Sequence, residues 1–199
     1  MARDMAVRSL VLATRNPHKL REFSRLIEPA RIAVESLPDR IELPPEDGTT
    51  FAENALPKAR AAALAAGRPS IADDSGIEAA ALGGAPGVRS ARYAGESASD
   101  QENLDKLLHN APVGSPLRYV CALAYVDPDS GQEQLFFGYC AGRLAEHPRG
   151  TRGFGYDPAF IPDESDGSRT MAELSDEEKD AISHRGKAAR ALLTWLRSR

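Results

Sequence analysis

A compact apolar run, Ser9-Leu10-Val11-Leu12-Ala13, passes without interruption into the polar segment Thr14-Arg15-Asn16-Pro17-His18-Lys19. The run suits a buried strand. Asn16 suits the N-cap of a following helix and Pro17 its first position, while Leu20, Phe23, Leu26 and Ile27 recur at the spacing of a core-facing stripe. Strand, polar turn and helix in this order aim free backbone N–H groups and a positive helix end at an anion. Thr14 and Asn16 can add side-chain bonds, and Lys19 a charge. The glycines and the Gly-Lys-Ser/Thr ending of a Walker loop are missing, so the segment alone leaves a phosphate site and a plain helix start both open.

The rest of the chain limits what that anion can be. With 199 residues, 42% of them hydrophobic, and no long apolar run, the sequence reads as one soluble domain over 1–199 that can bury a sizeable core and has no membrane span. Residues 1–8 read as a short ragged tail, not a signal peptide. Cys121 and Cys140 are too few and too far apart for a disulfide framework or structural zinc, and both lie in apolar runs that suit buried thiols. A formal net charge of −4 gives no global attraction for nucleic acid, so a bound anion must meet a local basic cluster. That favours a small phosphorylated ligand.

Further along, Arg31 to Leu37 read as a second strand, and Pro38 to Thr49 as a long loop carrying the acidic Glu46-Asp47-Gly48. Thr50-Phe-Ala-Glu53 fits a capping box opening a helix to about Ala66, with Gly67 and Pro69 as stops. Pro57 falls inside this helix, where it costs about 3 kcal/mol unless a kink or an irregular turn absorbs it. Lys58 follows it, either aimed at a site or solvated. Ile71-Ala72-Asp73-Asp74-Ser75-Gly76 then places two carboxylates where an apolar strand meets a glycine turn. Alternation points the two to opposite faces. The tetrapeptide is either a metal-holding element or an ordinary Asx-type turn.

After a glycine- and proline-rich connection at 82–88, Ser99-Asp-Gln-Glu102 is a second capping box for a helix with Leu104, Leu107 and Leu108 on its buried face. Leu117 to Val126 and Gln134 to Cys140 read as a hairpin around Asp127 to Gly131, which Gly142 to Glu146 extend. Gly150 to Pro158 is a glycine-dense loop displaying Phe154, Tyr156 and Asp157; Phe154 is either a stacking platform for a base or a core aromatic. Ser175-Asp-Glu-Glu178 is a third capping box, opening one helical stretch that runs to Leu196. On it, Lys179, His184 and Arg185 form a donor-rich patch suited to a purine edge or a phosphate.

Taken together, Thr-x-Asn-x-x-Lys (14 to 19), Glu-x-Gly-x-Thr-Phe-x-Glu-Asn-Ala (46 to 55), Ala-Asp-Asp-Ser-Gly (72 to 76), Ser-Ala-Arg-Tyr (90 to 93), Gly-Phe-Gly-Tyr-Asp-Pro (153 to 158) and Ser-His-Arg-Gly (183 to 186) resemble the inosine triphosphate pyrophosphatase family, the house-cleaning dITP/XTP pyrophosphatases. The likeness runs from about Leu10 to Leu196. It implies an α/β fold with a long mixed central sheet flanked by helices, two lobes with a nucleotide cleft between them, and a cytoplasmic homodimer. It implies hydrolysis of ITP, dITP and XTP to the monophosphate and pyrophosphate, with Mg2+ required.

Carried over by motif position, Thr14, Arg15, Asn16, Pro17, His18 and Lys19 would cradle the triphosphate, although Arg15 and His18 stand at variable positions. Asp74 would be the water-activating carboxylate and a metal ligand, with Glu46 and Asp73 as further metal residues. Lys58 and Ser75 would touch substrate, and Phe154, Gly155, Tyr156, Asp157, Lys179, His184 and Arg185 would hold the base and phosphates. The chemistry is consistent with this, since magnesium bound by one or two carboxylates plus phosphate oxygens is the usual arrangement for a triphosphate. A related pyrophosphatase with another base preference, such as modified pyrimidines, and a non-catalytic nucleotide-binding protein remain as alternatives. A nucleic-acid-binding module is disfavoured by the acidic balance.

Overall fold

The computed structural model describes residues 7–199. Of the tail expected over 1–8, all but the last two residues lie outside them. Strand β1 (Ser9–Leu12) delivers directly into helix α1 (Pro17–Ile27). Asn16 caps α1 as its sequence predicts, its Oδ1 accepting the N–H groups of His18 at 2.8 Å and Lys19 at 3.3 Å. Phe23 and Ile27 are fully buried. β2 (Ala33–Ser36) is shorter than the segment 31–37 read as a strand, and it is followed by an irregular loop up to α2 (Phe51–Ala66). The expected capping box of Thr50 and Glu53 opens α2, and Gly67 closes it with a φ of 62°.

Two local expectations are corrected. Helix α2 runs unbroken through Pro57, so of the kink or irregular turn expected there the irregular turn does not occur. β3 (Ser70–Ala79) continues straight through Asp73-Asp74-Ser75-Gly76, so there is no turn at Gly76. Gly76 serves close packing instead: a Cβ there would lie 2.5 Å from the Gly87 carbonyl oxygen and 2.9 Å from Ser90 Cβ. Glycine is used for its missing side chain, not for its freedom of φ.

Helix α3 (Asp100–Asn110) has the capping box of Ser99 and Glu102, and it leads to the long strands β4 (Pro116–Asp127) and β5 (Gln132–Leu144), joined by the expected turn. After the glycine-rich loop comes the short β6 (Phe160–Pro162). Among the described residues the six strands form one sheet in the order β2-β1-β3-β4-β5-β6. β1 pairs in parallel with β2 and β3, and β5 pairs antiparallel with β6, which makes the sheet mixed.

The final helical stretch is also corrected: it is two helices, α4 (Asp176–Ile182) and α5 (His184–Arg197), separated by Ser183 in an extended conformation. The Ser183 hydroxyl accepts the Gly186 N–H at 3.0 Å, which starts α5 afresh. At Gly186 a Cβ would collide with the Asp180 carbonyl, so the two helices meet too closely for any other residue.

The chain falls into two compact units. One takes the chain up to Asp74, with Ala122–Phe136 and Ala188–Arg199; the other comprises Ser75–Cys121 and Phe137–Lys187. In the first, Leu10, Leu12, Ala55, Ala59, Ala62, Ala63 and Ile71 are fully buried, and Trp195 meets Tyr125 and Phe136 edge-on at 5.1 and 5.6 Å. The alanines of α2 have no long side chains to hold the helix away from the strands it covers. In the second, Ile77, Leu104, Leu107, Leu117, Cys140, Phe160 and Met171 belong to one apolar cluster. No helix among the described residues is long and apolar enough to cross a membrane.

Replacing Gly76 with Ala is expected to lower stability by about 1–3 kcal/mol, because the obstacle is backbone as well as side chain; an unchanged urea midpoint would contradict the close-packing role. Both cysteines are buried and in thiol form, and burial pushes the Cys140 thiol up to about 12. Iodoacetamide at pH 8 should therefore leave native Cys140 unmodified, with mass spectrometry as the check.

Candidate functional site

The first unit gathers charge around β3. Asp73 and Asp74 are 1% and 5% exposed, and Lys58 is 5% exposed, so two carboxylates of β3 and a lysine of α2 lie out of water. Each is matched. Lys19 Nζ lies 3.1 Å from Asp73 Oδ1. Lys58 donates to the Asp73 carbonyl oxygen at 2.8 Å and forms an ion pair with Glu46. Asp74 Oδ2 accepts from the Asn54 side-chain amide at 2.9 Å. Lys58 is therefore aimed inward, and the solvated alternative does not hold. Burial pushes the Asp74 carboxyl above its ordinary value, while the Lys58 charge and the Asn54 hydrogen bond pull it back down. A carboxylate pushed upward in this way is better able to take a proton near neutral pH.

The Thr14–Lys19 segment uses more of its polar groups on itself than its sequence suggests. Thr14 Oγ1 accepts the Asn16 N–H at 3.1 Å, and Asn16 Oδ1 takes the His18 and Lys19 N–H groups. Those two N–H groups, expected to face an anion, are thus occupied by the cap. The Arg15 guanidinium reaches the carbonyls of Leu37, Pro38 and Ile41 and fastens the loop after β2. His18 Nδ1 meets Arg21 at 2.8 Å. Lys19 is the member of this segment brought to the carboxylates.

The second unit builds a separate set around Phe154. Gly153 has a φ of +73°, and a Cβ on it would lie 2.9 Å from Asp157 Cγ, so the loop can fold back on its own carboxylate only with glycine there. Asp157 is 3% exposed, and its side chain accepts three donors: Lys179 Nζ at 2.7 Å and the Phe154 N–H at 3.0 Å on Oδ2, and the Tyr119 hydroxyl at 3.1 Å on Oδ1. Lys179 Nζ and the Arg185 guanidinium carbon sit 5.5 and 5.1 Å from the Phe154 ring centroid. Arg185 also donates to Ser75 Oγ at 2.6 Å. Phe154 is half-buried, with a face turned to cations, an arrangement that suits a flat ring more than a core position does.

Not every expected residue of this set presents a polar group. Tyr156 is buried, its hydroxyl donates to the Ser90 carbonyl at 2.7 Å, and its ring belongs to the apolar cluster. Asp157 acts inward, as the anchor of the loop. Two residues had no local signal of their own. Tyr119 stacks on the His184 ring, centroids 4.6 Å apart and planes 7° from parallel, but in the sequence it is one aromatic among β-formers. Asn54 stands inside the 46–55 motif, yet reads there as a helix residue.

Among the described residues no three His, Cys, Asp or Glu side chains stand together as a ready-made metal cage. Glu46, Asp73 and Asp74 instead supply carboxylates already close to lysines, which suits a hard cation completed by ligand oxygens, the usual manner of magnesium with nucleotides.

Residues 10–195 match the model of the Ham1 family. A dITP/XTP pyrophosphatase from Cutibacterium acnes is 47% identical over 192 residues, spanning 92% of this chain and 94% of that protein. One from Symbiobacterium thermophilum is 50% identical over 197 residues, 96% of each. The solved structure of a HAM1 protein from Coxiella burnetii aligns with a TM-score of 0.84 at 39% identity, over 96% of this chain and 99% of that one.

Because Lys179 and Asp157 are both nearly inaccessible, removing one charge strands the other. Lys179→Met is expected to cost about 3 kcal/mol in chemical denaturation, the lower end for a broken buried pair, since Asp157 keeps two other donors. A loss below about 1 kcal/mol would show that the pair is of the weak, surface kind.

Proposed function

The chain belongs to the Ham1 family, and on that premise we propose that it hydrolyses the aberrant purine nucleoside triphosphates ITP, dITP and XTP to the nucleoside monophosphate and pyrophosphate. The observation that carries the reading is the buried meeting of Asp73 and Asp74 with Lys19 and Lys58, which gives a triphosphate both cations and a proton acceptor. In this reading Lys19, at the positive end of α1, holds phosphate oxygens with the Thr14–Lys19 segment. Glu46, Asp73 and Asp74 would hold Mg2+, which when bound supplies positive charge to the phosphates.

Asp74 takes the proton of the water that attacks at the α–β phosphoanhydride. The P–O bond to the leaving pyrophosphate breaks, and Lys58 and Lys19 stabilise the charge that develops on it. No covalent nucleophile is required. Phe154 offers the face for the purine ring, with Arg185, His184 and Lys179 as donors around it. A 6-oxo group accepts from such donors. An adenine amino group would leave a buried donor facing a donor, at a cost that favours ITP over ATP. The same reading carries a cytoplasmic, homodimeric enzyme acting as a single domain, supported by the motif resemblance.

Incubation with magnesium and each of ITP, dITP, XTP, ATP and GTP, followed by separation of pyrophosphate from phosphate, tests the proposal. Pyrophosphate from the first three is expected; release of orthophosphate, or equal turnover of ATP and ITP, would sink it. Asp74→Asn should lower kcat by about 10²–10⁴-fold with the fold intact.

A further inference from the structure

The catalytic role given to Asp74 leaves open what keeps its carboxylate oriented, and a buried amide answers it. Asn54 is 3% exposed and lies in the first turns of α2. Its Oδ1 accepts the Gly48 N–H at 2.8 Å, and its Nδ2 donates to Asp74 Oδ2 at 2.9 Å. The oxygen and nitrogen of an amide are told apart by their partners, and a backbone N–H can only donate. The end facing Gly48 must therefore be the oxygen, and the end facing Asp74 the donor. Chemistry far from the carboxylate thus decides that Asp74 meets an N–H and not a second acceptor.

Gly48 is needed for this approach. A Cβ on it would lie 2.7 Å from both Asn54 Oδ1 and Glu53 Cβ. The neighbouring loop is fastened to the same helix turn, because Glu53 Oε2 accepts the Thr49 and Thr50 N–H groups at 2.7 and 3.0 Å. The loop that carries Glu46 and the carboxylate of Asp74 are therefore tied to one another through a single side chain.

We propose that Asn54 is a positioning residue for the hydrolysis: by donating to Oδ2 it holds the plane of the Asp74 carboxylate, and by accepting from Gly48 it sets the Glu46 loop against it. The inference rests on the pyrophosphatase reading for its catalytic consequence. The contact itself does not.

The deciding variant is Asn54→Asp, which keeps shape and the acceptor for Gly48 but turns an acceptor toward Asp74. With magnesium and ITP, kcat is expected to fall about 10–100-fold, the range for residues that orient a reacting group from behind, with KM within about two-fold of the parent. A parental kcat, or a raised KM at unchanged kcat, overturns the proposal. If Asn54→Asp does not fold, Asn54→Ala decides by the same split, since it introduces no like charge.

A second readout is independent of turnover. The Asn54 side-chain NH2 signals in a 15N–1H spectrum, assigned by their loss in Asn54→Ala, should move in Asp74→Ala; unmoved signals overturn the contact. A parent that releases no pyrophosphate from ITP refutes the functional reading instead, and the NMR result then still decides the fate of Asn54.

Discussion

Charge buried without a partner is so costly that it shapes everything near it, and in the first unit this constraint fixes the geometry. Lys58 can point into the protein only because the Asp73 carbonyl and Glu46 receive it. Asp73 can be inaccessible because Lys19 stands beside it. These pairings join four stretches of the chain: the start of α1, the loop before α2, α2 itself, and β3. A substitution at any one member would leave another charge stranded, so the group behaves as a unit and its energetics will not divide into additive parts.

The second unit meets the same constraint by a different route. One carboxylate, Asp157, gathers a lysine, a backbone N–H and a phenol, and the glycine-rich loop takes its shape from those three bonds. Phe154 is held in place by the same carboxylate, since its own N–H is one of the three. The acidic residue in this loop is thus a fastener, whereas Asp74 in the first unit combines a burial-raised carboxyl with nearby cations.

How much of this could be read from the sequence depends on whether the cause is local. The starts of α1, α2, α3 and α4 are legible because a cap is a contact between residues two or three apart. Gly76 misleads because a glycine required by a distant neighbour, here Ser90 and Gly87, looks the same in sequence as one required by a turn. The break at Ser183 is hidden for a related reason: the capping serine and the tight contact of Gly186 with Asp180 appear only once α4 and α5 are packed. The motif resemblance brought the charged residues to attention. It could not reveal that Arg15 fastens a loop, that Tyr156 is core, or that Asn54 and Tyr119 stand behind Asp74 and His184.

The parallel stack of Tyr119 on His184 has a thermodynamic consequence. An imidazole held flat against a buried ring has lost its rotational freedom when the protein folds, before any ligand arrives. In the proposed site the entropy of fixing that side chain is then absent from the free energy of association, which lets a modest number of contacts yield useful affinity. In that reading selectivity gains as well, because a rigid donor cannot swing to accommodate the wrong base edge. Loosening the stack would leave every polar contact chemically possible, while transferring the ordering of the ring from the folding reaction to each binding event.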